Sequence, residues 1–164
     1  MSNNLQTKVW WNYLTENQRD LLSQSQILLE REEKYGRDHF HDYAFALFPA
    51  AKAYEGFLKK LFYDLRIITS EQYNSNHFRV GRALNPDLPV RFRGYDWVYD
   101  SLSIYCSKET PNMLWDTWRR SRNLVFHWFP RHKNFVTLTQ AKERYQMILE
   151  AIDLAFAECK MSNK

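Results

Sequence analysis

Glycine and proline are scarce in this chain, with 4 Gly and 5 Pro among 164 residues. An all-β design needs many tight turns, so this shortage argues against sheets and for long helices joined by few loops. Long apolar runs are missing as well. None approaches the roughly 20 residues of a membrane span, so the hydrophobic 45% of the chain must sit in amphipathic stripes. There are only 2 cysteines, Cys106 and Cys159, without metal-ligand spacing. They read as reduced thiols of a cytoplasmic protein, the alternative being one disulfide in an exported one. The opening Met1-Ser2-Asn3-Asn4 lacks the basic-then-apolar order of a secretory signal. A strong charge of either sign is also absent. The net value of +4 does not by itself distinguish an RNA binder from many other proteins.

Aromatic residues are abundant: 6 Trp, 10 Tyr and 11 Phe, or 16% of the chain. With no repeat and no linker-like tract, residues 1–164 read as a single domain with one core. A short helix is expected over residues 5–14. Thr15-Glu16-Asn17-Gln18 forms a capping box for a helix reaching about Lys34, with Gly36 suited to end it. The next helix should begin near Asp38 or Asp42 and run to about Arg66. Pro49 must either kink it or mark its first turn. Residues 69–94 lose periodicity and read as a long loop with one short helical turn. That loop carries Arg79, Arg82, Arg91 and Arg93, either a rim that guides RNA or ordinary solubilising charge. A helix over 95–106 follows. Another is capped by Thr110, has Pro111 in its first turn and ends by Pro130, and the last spans about 139–159. The expected fold is all-α, an up-and-down bundle of four or five helices.

Chemistry concentrates on the helix before Pro130. At 100° per residue, Met113, Leu114, Thr117, Trp118, Ser121, Leu124, Val125 and Trp128 share a mostly apolar side. Asp116, Arg119, Arg120, Arg122, Asn123 and His127 share the polar side, with Arg122 roughly 140° from His127 on an ideal helix. A phosphodiester suits this arc. A guanidinium can grip two phosphate oxygens and offset the charge that grows during attack, and an imidazole can take and give a proton near neutral pH. RNA supplies its own nucleophile, the 2′-hydroxyl, so a base, an acid and a cation suffice without metal or cofactor. No acidic or histidine-rich cluster has ligand spacing, and His39 and His41 make a poor metal pair. The same residues also fit a solvated helix face with His127 as a C-terminal cation.

The run Arg122-Asn123-Leu124-Val125-Phe126-His127 resembles the Arg-x4–6-His signature of the HEPN superfamily, in which a polar residue follows the arginine. The stretch from Phe48 to Phe62 resembles the matching helix of the RNase LS toxin family, whose C-terminal HEPN domain pairs a glutamate there with the later arginine and histidine. The resemblance covers about residues 43–130. It implies an HEPN-like bundle and a catalytic set of Glu55, Arg122 and His127, with Asn123 and Arg119 in support. It also implies a metal-independent endoribonuclease of a toxin–antitoxin or anti-phage system, acting in the cytoplasm as a homodimer under a possible antitoxin. Lys52, Lys59 and Arg120 are candidate RNA contacts, though solvation is the simpler role for both lysines. The alternative role for Glu55 is a salt bridge to Arg122 or Lys59 that only joins helices. Tyr54 fits the core better than base stacking. The toxin family has further domains before its HEPN domain, which this chain does not match, so antitoxin control is expected to differ. Some HEPN toxins are silenced by AMP transfer to a tyrosine two residues past the histidine, where this chain has Phe129. The alternative function is a non-catalytic HEPN-like module that binds RNA or a protein.

Overall fold

A computed structural model describes residues 4–36, 39–128, 130–131 and 135–159. Phe129 and Asp38 lie outside the described residues. In place of a helix over 5–14 there are two 3-10 turns, Leu5–Thr7 and Trp11–Tyr13. Between them Trp10 is fully buried and donates its indole N–H to Asp153. Helix α1, Glu16–Tyr35, starts at the expected capping box: Thr15 Oγ1 accepts from the Gln18 amide and Gln18 reaches back to Thr15 N. The Gly36 N–H closes its last turn on Glu32 O.

Helix α2, Ala44–Asp64, starts just past Asp42, whose carboxylate accepts from the amides of Ala44 and Val136. Pro49 falls in its second turn, inside the helix. The next amide, Ala50 N–H, donates to the buried Ser25 Oγ of α1 at 2.8 Å, so the irregularity that proline causes is partly repaired by the neighbouring helix. Small residues on this side, Ala46, Ala50 and Ala53, let α1 and α2 approach closely. At Gly56 a Cβ would sit 2.8 Å from the Gln18 amide of α1. The helix ends on Arg66, whose φ of 59° makes it a left-handed cap. Ile67 N–H then returns to Phe62 O in a Schellman arrangement.

The stretch read as a long loop holds two short helices, α3 (Ser70–Asn74) and α4 (Val80–Ala83), and a 3-10 turn, Val90–Phe92. Thr69 and Gln72 form a second capping box ahead of α3. Three of the four loop arginines are tied to loop carbonyls: Arg79 to Asn76, Arg82 to Phe92, and Arg93 to Leu88 and Pro86. Arg93 also lies 4.2 Å from the Trp97 ring centre. These side chains hold the segment's shape, which favours neither expected role.

Helix α5 spans Tyr99–Tyr105 and α6 spans Thr110–Trp118. Thr110 is the first helical residue rather than the cap. The cap position is Glu109 and makes no side-chain bond, while the Thr110 hydroxyl pairs with Ser107 at 2.9 Å. Pro111 stands in the first turn as expected. Helix α7, Leu138–Glu158, opens on a third capping box, Thr137 with Gln140. The fold is an all-α bundle: α2 packs against α1 and α7, and α7 against α6. Leu22, Leu47, Tyr54, Phe57, Phe62, Leu114 and Ile148 are fully buried between them. No helix among the described residues is long and apolar enough to cross a membrane.

The cysteines correct the reading of two free thiols. Cys106, at the end of α5, is disulfide-bonded to Cys159, at the end of α7. Nothing in the local sequence reveals that these two helix ends meet, across a sequence separation of 53.

Candidate functional site

Helix α6 does not continue as an α-helix past Trp118. Residues Arg119–Asn123 form a π-helical turn, closed by Leu124 N–H on Arg119 O at 2.9 Å, five residues back. Such turns insert an extra residue into a helix and frequently mark functional sites. Two contacts fix α6 and this turn from the core side. The fully buried Tyr54 hydroxyl of α2 donates to Leu114 O at 3.0 Å, and the buried Ser121 hydroxyl faces Arg144 O of α7 at 3.4 Å. Burial pushes the Tyr54 phenol well above its ordinary range, against a smaller opposing effect of Thr117.

The π turn overrides the ideal helical wheel. Leu114, Thr117, Trp118, Ser121 and Val125 are buried as the apolar side requires, but Leu124 is exposed and Trp128 is 80% exposed. Helical order stops at Asn123, and His127 lies beyond it on an exposed, irregular segment. The expected angle of roughly 140° between Arg122 and His127 therefore does not apply, since it assumes a helix that has already ended.

The structure brings Glu55 and Arg122 together across 67 residues of sequence. Nη2 of Arg122 lies 3.3 Å from Oε2 of Glu55, with each side chain about one-third exposed, at 35% and 32%. The guanidinium also sits 5.0 Å from the Trp118 ring centre, so a carboxylate and an indole both orient it. Of the two salt bridges expected for Glu55, the one to Arg122 forms. Lys59 instead donates to Ser75 O at 3.3 Å and lies over the Phe78 ring, an anchoring role for the segment after α3. Tyr54 is core, as expected.

The remaining candidates surround this pair unevenly. Lys52 is exposed, with Nζ 5.8 Å from the Phe48 ring centre. Phe48 in turn packs edge-on against Phe126 at 5.3 Å, which fixes the chain to α2 one residue before His127. Asn123 is half-buried and Arg119 is exposed. Arg120 pairs with Asp116 at 3.4 Å, four residues back on the same face. It also stands near Arg144, whose pKa is lowered first by burial and then by Arg120, while Glu143 and Asp42 act against the shift. Among the described residues no group of three or more His, Cys, Asp or Glu is placed to hold a metal ion. His39 and His41 are both exposed.

Two features of the site, and one cavity apart from it, escape sequence reasoning. The π turn has no sequence signature of its own, although two hydroxyl residues four apart on the apolar side, Thr117 and Ser121, mark an unusual core face. Trp118 as a platform for Arg122 stands four residues back, a spacing visible in the sequence but hidden when the wheel assigns the two to opposite sides. A cavity of about 670 Å³ opens beside Phe40, His41, Tyr43, Thr137, Thr139 and Lys142, from segments that are distant in sequence. No protein-family profile, curated protein or solved structure matches the chain.

Proposed function

We propose that the chain is a metal-independent endoribonuclease in which Arg122 binds the scissile phosphate and His127 moves protons. The observation that supports this reading best is the Glu55–Arg122 pair, which presents an oriented guanidinium at the rim of the bundle, at the start of the run that ends in His127. A guanidinium held at one edge by a carboxylate keeps its remaining N–H groups for a phosphate, and its charge opposes the charge that builds on phosphorus. An imidazole acting as base takes the 2′-hydroxyl proton. The 2′-oxygen bonds to phosphorus, the bond from phosphorus to the 5′-oxygen breaks, and an imidazolium acting as acid protonates that leaving oxygen. The products are a 2′,3′-cyclic phosphate and a 5′-hydroxyl.

One histidine can serve both steps in turn, or two can share them where a second copy completes the site. The HEPN resemblance favours the shared form, a homodimer with the 122–127 runs facing each other. It also supplies the biological setting, a toxin–antitoxin or anti-phage role with a possible protein antitoxin, while the Cys106–Cys159 bond departs from the cytoplasmic setting expected of such a protein. Asn123 and Arg119 flank the phosphate in this scheme, and Lys52 and Arg120 contact the RNA backbone further out.

The test incubates the protein with total RNA in excess chelator, beside Arg122→Ala, His127→Ala and Glu55→Gln. The expected result is chelator-resistant cleavage with cyclic phosphate ends, abolished in the first two variants and reduced in the third. Cleavage that needs a metal, or that survives both Arg122→Ala and His127→Ala, refutes the mechanism. RNA binding without any cleavage would leave the non-catalytic module as the function.

A further inference from the structure

Gly81 is a glycine where the backbone does not call for one. It lies inside helix α4, Val80–Ala83, and no glycine among the described residues has a positive φ. Alanine is the better helix former at such a position, because glycine loses more backbone freedom on folding. In a chain with only 4 glycines, this one needs another cause. The cause is a neighbour. A Cβ at Gly81 would stand 2.6 Å from Nε1 of Trp118 and 3.2 Å from its Cε2, so the bare backbone of α4 abuts the edge of the indole.

The indole is held on two sides. Trp118 is 5% exposed and ends α6, immediately before the π turn Arg119–Asn123. Its edge meets α4, and its face carries the Arg122 guanidinium at 5.0 Å. Helix α4 is itself fixed. Val80 and Ala83 are buried, Ala83 O accepts the Val98 amide at 2.8 Å, and the Arg82 guanidinium donates to Phe92 O at 3.1 Å. Alanine at 81 with a smaller side chain at 118 would fill the same space and favour the helix. Glycine against tryptophan is the better combination only where a broad ring has to lie beneath Arg122. Glu55 holds one edge of that guanidinium at 3.3 Å. A single contact at one edge leaves the tilt of the plane free, and the indole face removes that freedom.

We propose that Gly81 and Trp118 are positioning residues: α4 stops the indole edge, and the indole face sets the plane in which Arg122 meets a phosphate. The segment between α2 and α5 thereby takes part in the site through its backbone, not through its arginines. What Arg122 does once aimed rests on the ribonuclease reading. How it is aimed does not.

The main variant is Gly81→Ala, read in the full chain by two measurements. In the first, the Arg122 Nε–H signal is followed by proton–nitrogen NMR and assigned as the one absent from Arg122→Lys. The ring current of an indole shields a proton above its face, so the signal is expected upfield of its free-arginine position. It should move back toward that position in Gly81→Ala and in Trp118→Leu. In the second, kcat on RNA is expected to fall by on the order of tenfold in Gly81→Ala with KM little changed, because a misplacement of about 1 Å is enough to cost that much. Trp118→Phe keeps a ring but removes the nitrogen that the new methyl would strike. The double variant Gly81→Ala/Trp118→Phe should therefore recover most of the lost cleavage, with helical circular dichroism at the parent level throughout.

An unshifted Arg122 signal in the parent overturns the proposal. So does a Gly81→Ala protein that melts higher, as ordinary replacement of a helical glycine would, with the Arg122 signal unmoved. A loss of cleavage in Gly81→Ala that comes without movement of that signal, and that Trp118→Phe fails to restore, overturns it as well. If the parent does not cleave RNA but the signal moves as expected, the nuclease reading falls and the positioning of Arg122 stands.

Discussion

At the scale of single residues, the question is whether Arg122 is held for stability or for chemistry. Its pairing with Glu55 is one-third exposed on both sides. Solvent screening makes such a pair worth between 0 and about 1 kcal/mol. Arg122→Ala is therefore expected to lower unfolding free energy by less than about 1 kcal/mol in urea melts. On the proposed mechanism the same variant lowers cleavage by at least two orders of magnitude, roughly what loss of one transition-state donor costs. Arg122→Lys keeps the charge but loses the planar fork that can grip Glu55 and a phosphate at once, so it should also cleave poorly. A large loss of stability in Arg122→Ala, with cleavage following only the folded fraction, would reduce the pair to a brace between helices. Glu55 itself was legible in the sequence only as a charge with two candidate partners. The choice between Arg122 and Lys59 depends on where the segment after α3 draws the lysine, which no local pattern encodes.

At the scale of elements, the sequence was most legible where side chains bond to their own local backbone. The capping boxes at Thr15 and Thr69 have the same form, yet only the first precedes a long amphipathic helix. The second opens five residues, Ser70–Asn74, too few for hydrophobic periodicity to register, and so the segment reads as loop. The end of α6 was misread for a different reason. A wheel assumes one constant turn angle, and the π turn at Arg119–Asn123 breaks it where the candidate site begins. What holds the elements in register is partly a set of buried phenols that no periodicity reveals. Tyr54 ties α2 to Leu114 O of α6, and Tyr145 ties α7 to Leu22 O of α1. Burial raises the pKa of both above the ordinary 10.0, since an anionic phenolate is poorly solvated there. In the unfolded chain both would ionise near 10, so the stabilisation is complete below that pH and is lost as pH rises beyond it. Unfolding should therefore begin above pH ~10, with tyrosinate absorbance rising together with the loss of helical circular dichroism. Full tyrosinate absorbance in a chain that stays helical would show that these phenols are open to solvent. Tyr54→Phe should cost about 1 kcal/mol near neutral pH and flatten part of the alkaline transition.

At the scale of the whole molecule, the Cys106–Cys159 bond is the feature furthest from the sequence reading, and it separates stability from chemistry. It closes a loop across a sequence separation of 53, joining the ends of α5 and α7. The chain-entropy relation puts the stabilisation for such a loop at about 4 kcal/mol. For a domain of this size that corresponds to a melting temperature lower by on the order of 10 °C in reductant. The candidate site is built from other contacts: α2 carries Glu55, the π turn carries Arg122, and Phe126 rests on Phe48. None of these runs through the α5 and α7 ends. Reduction is thus expected to lower the melting temperature while leaving cleavage at low temperature unchanged, and Cys106→Ser and Cys159→Ser should each reproduce both results without reductant. Thiol titration of the unreduced protein provides the control. Two reactive thiols together with a melting curve indifferent to reductant would mean that the bond is not formed under those conditions. A cleavage rate that falls on reduction well below the melting transition would show instead that the end of α7 governs the site. The coupling would then run through α6, which packs against α7 and leads directly into the π turn that bears Arg122.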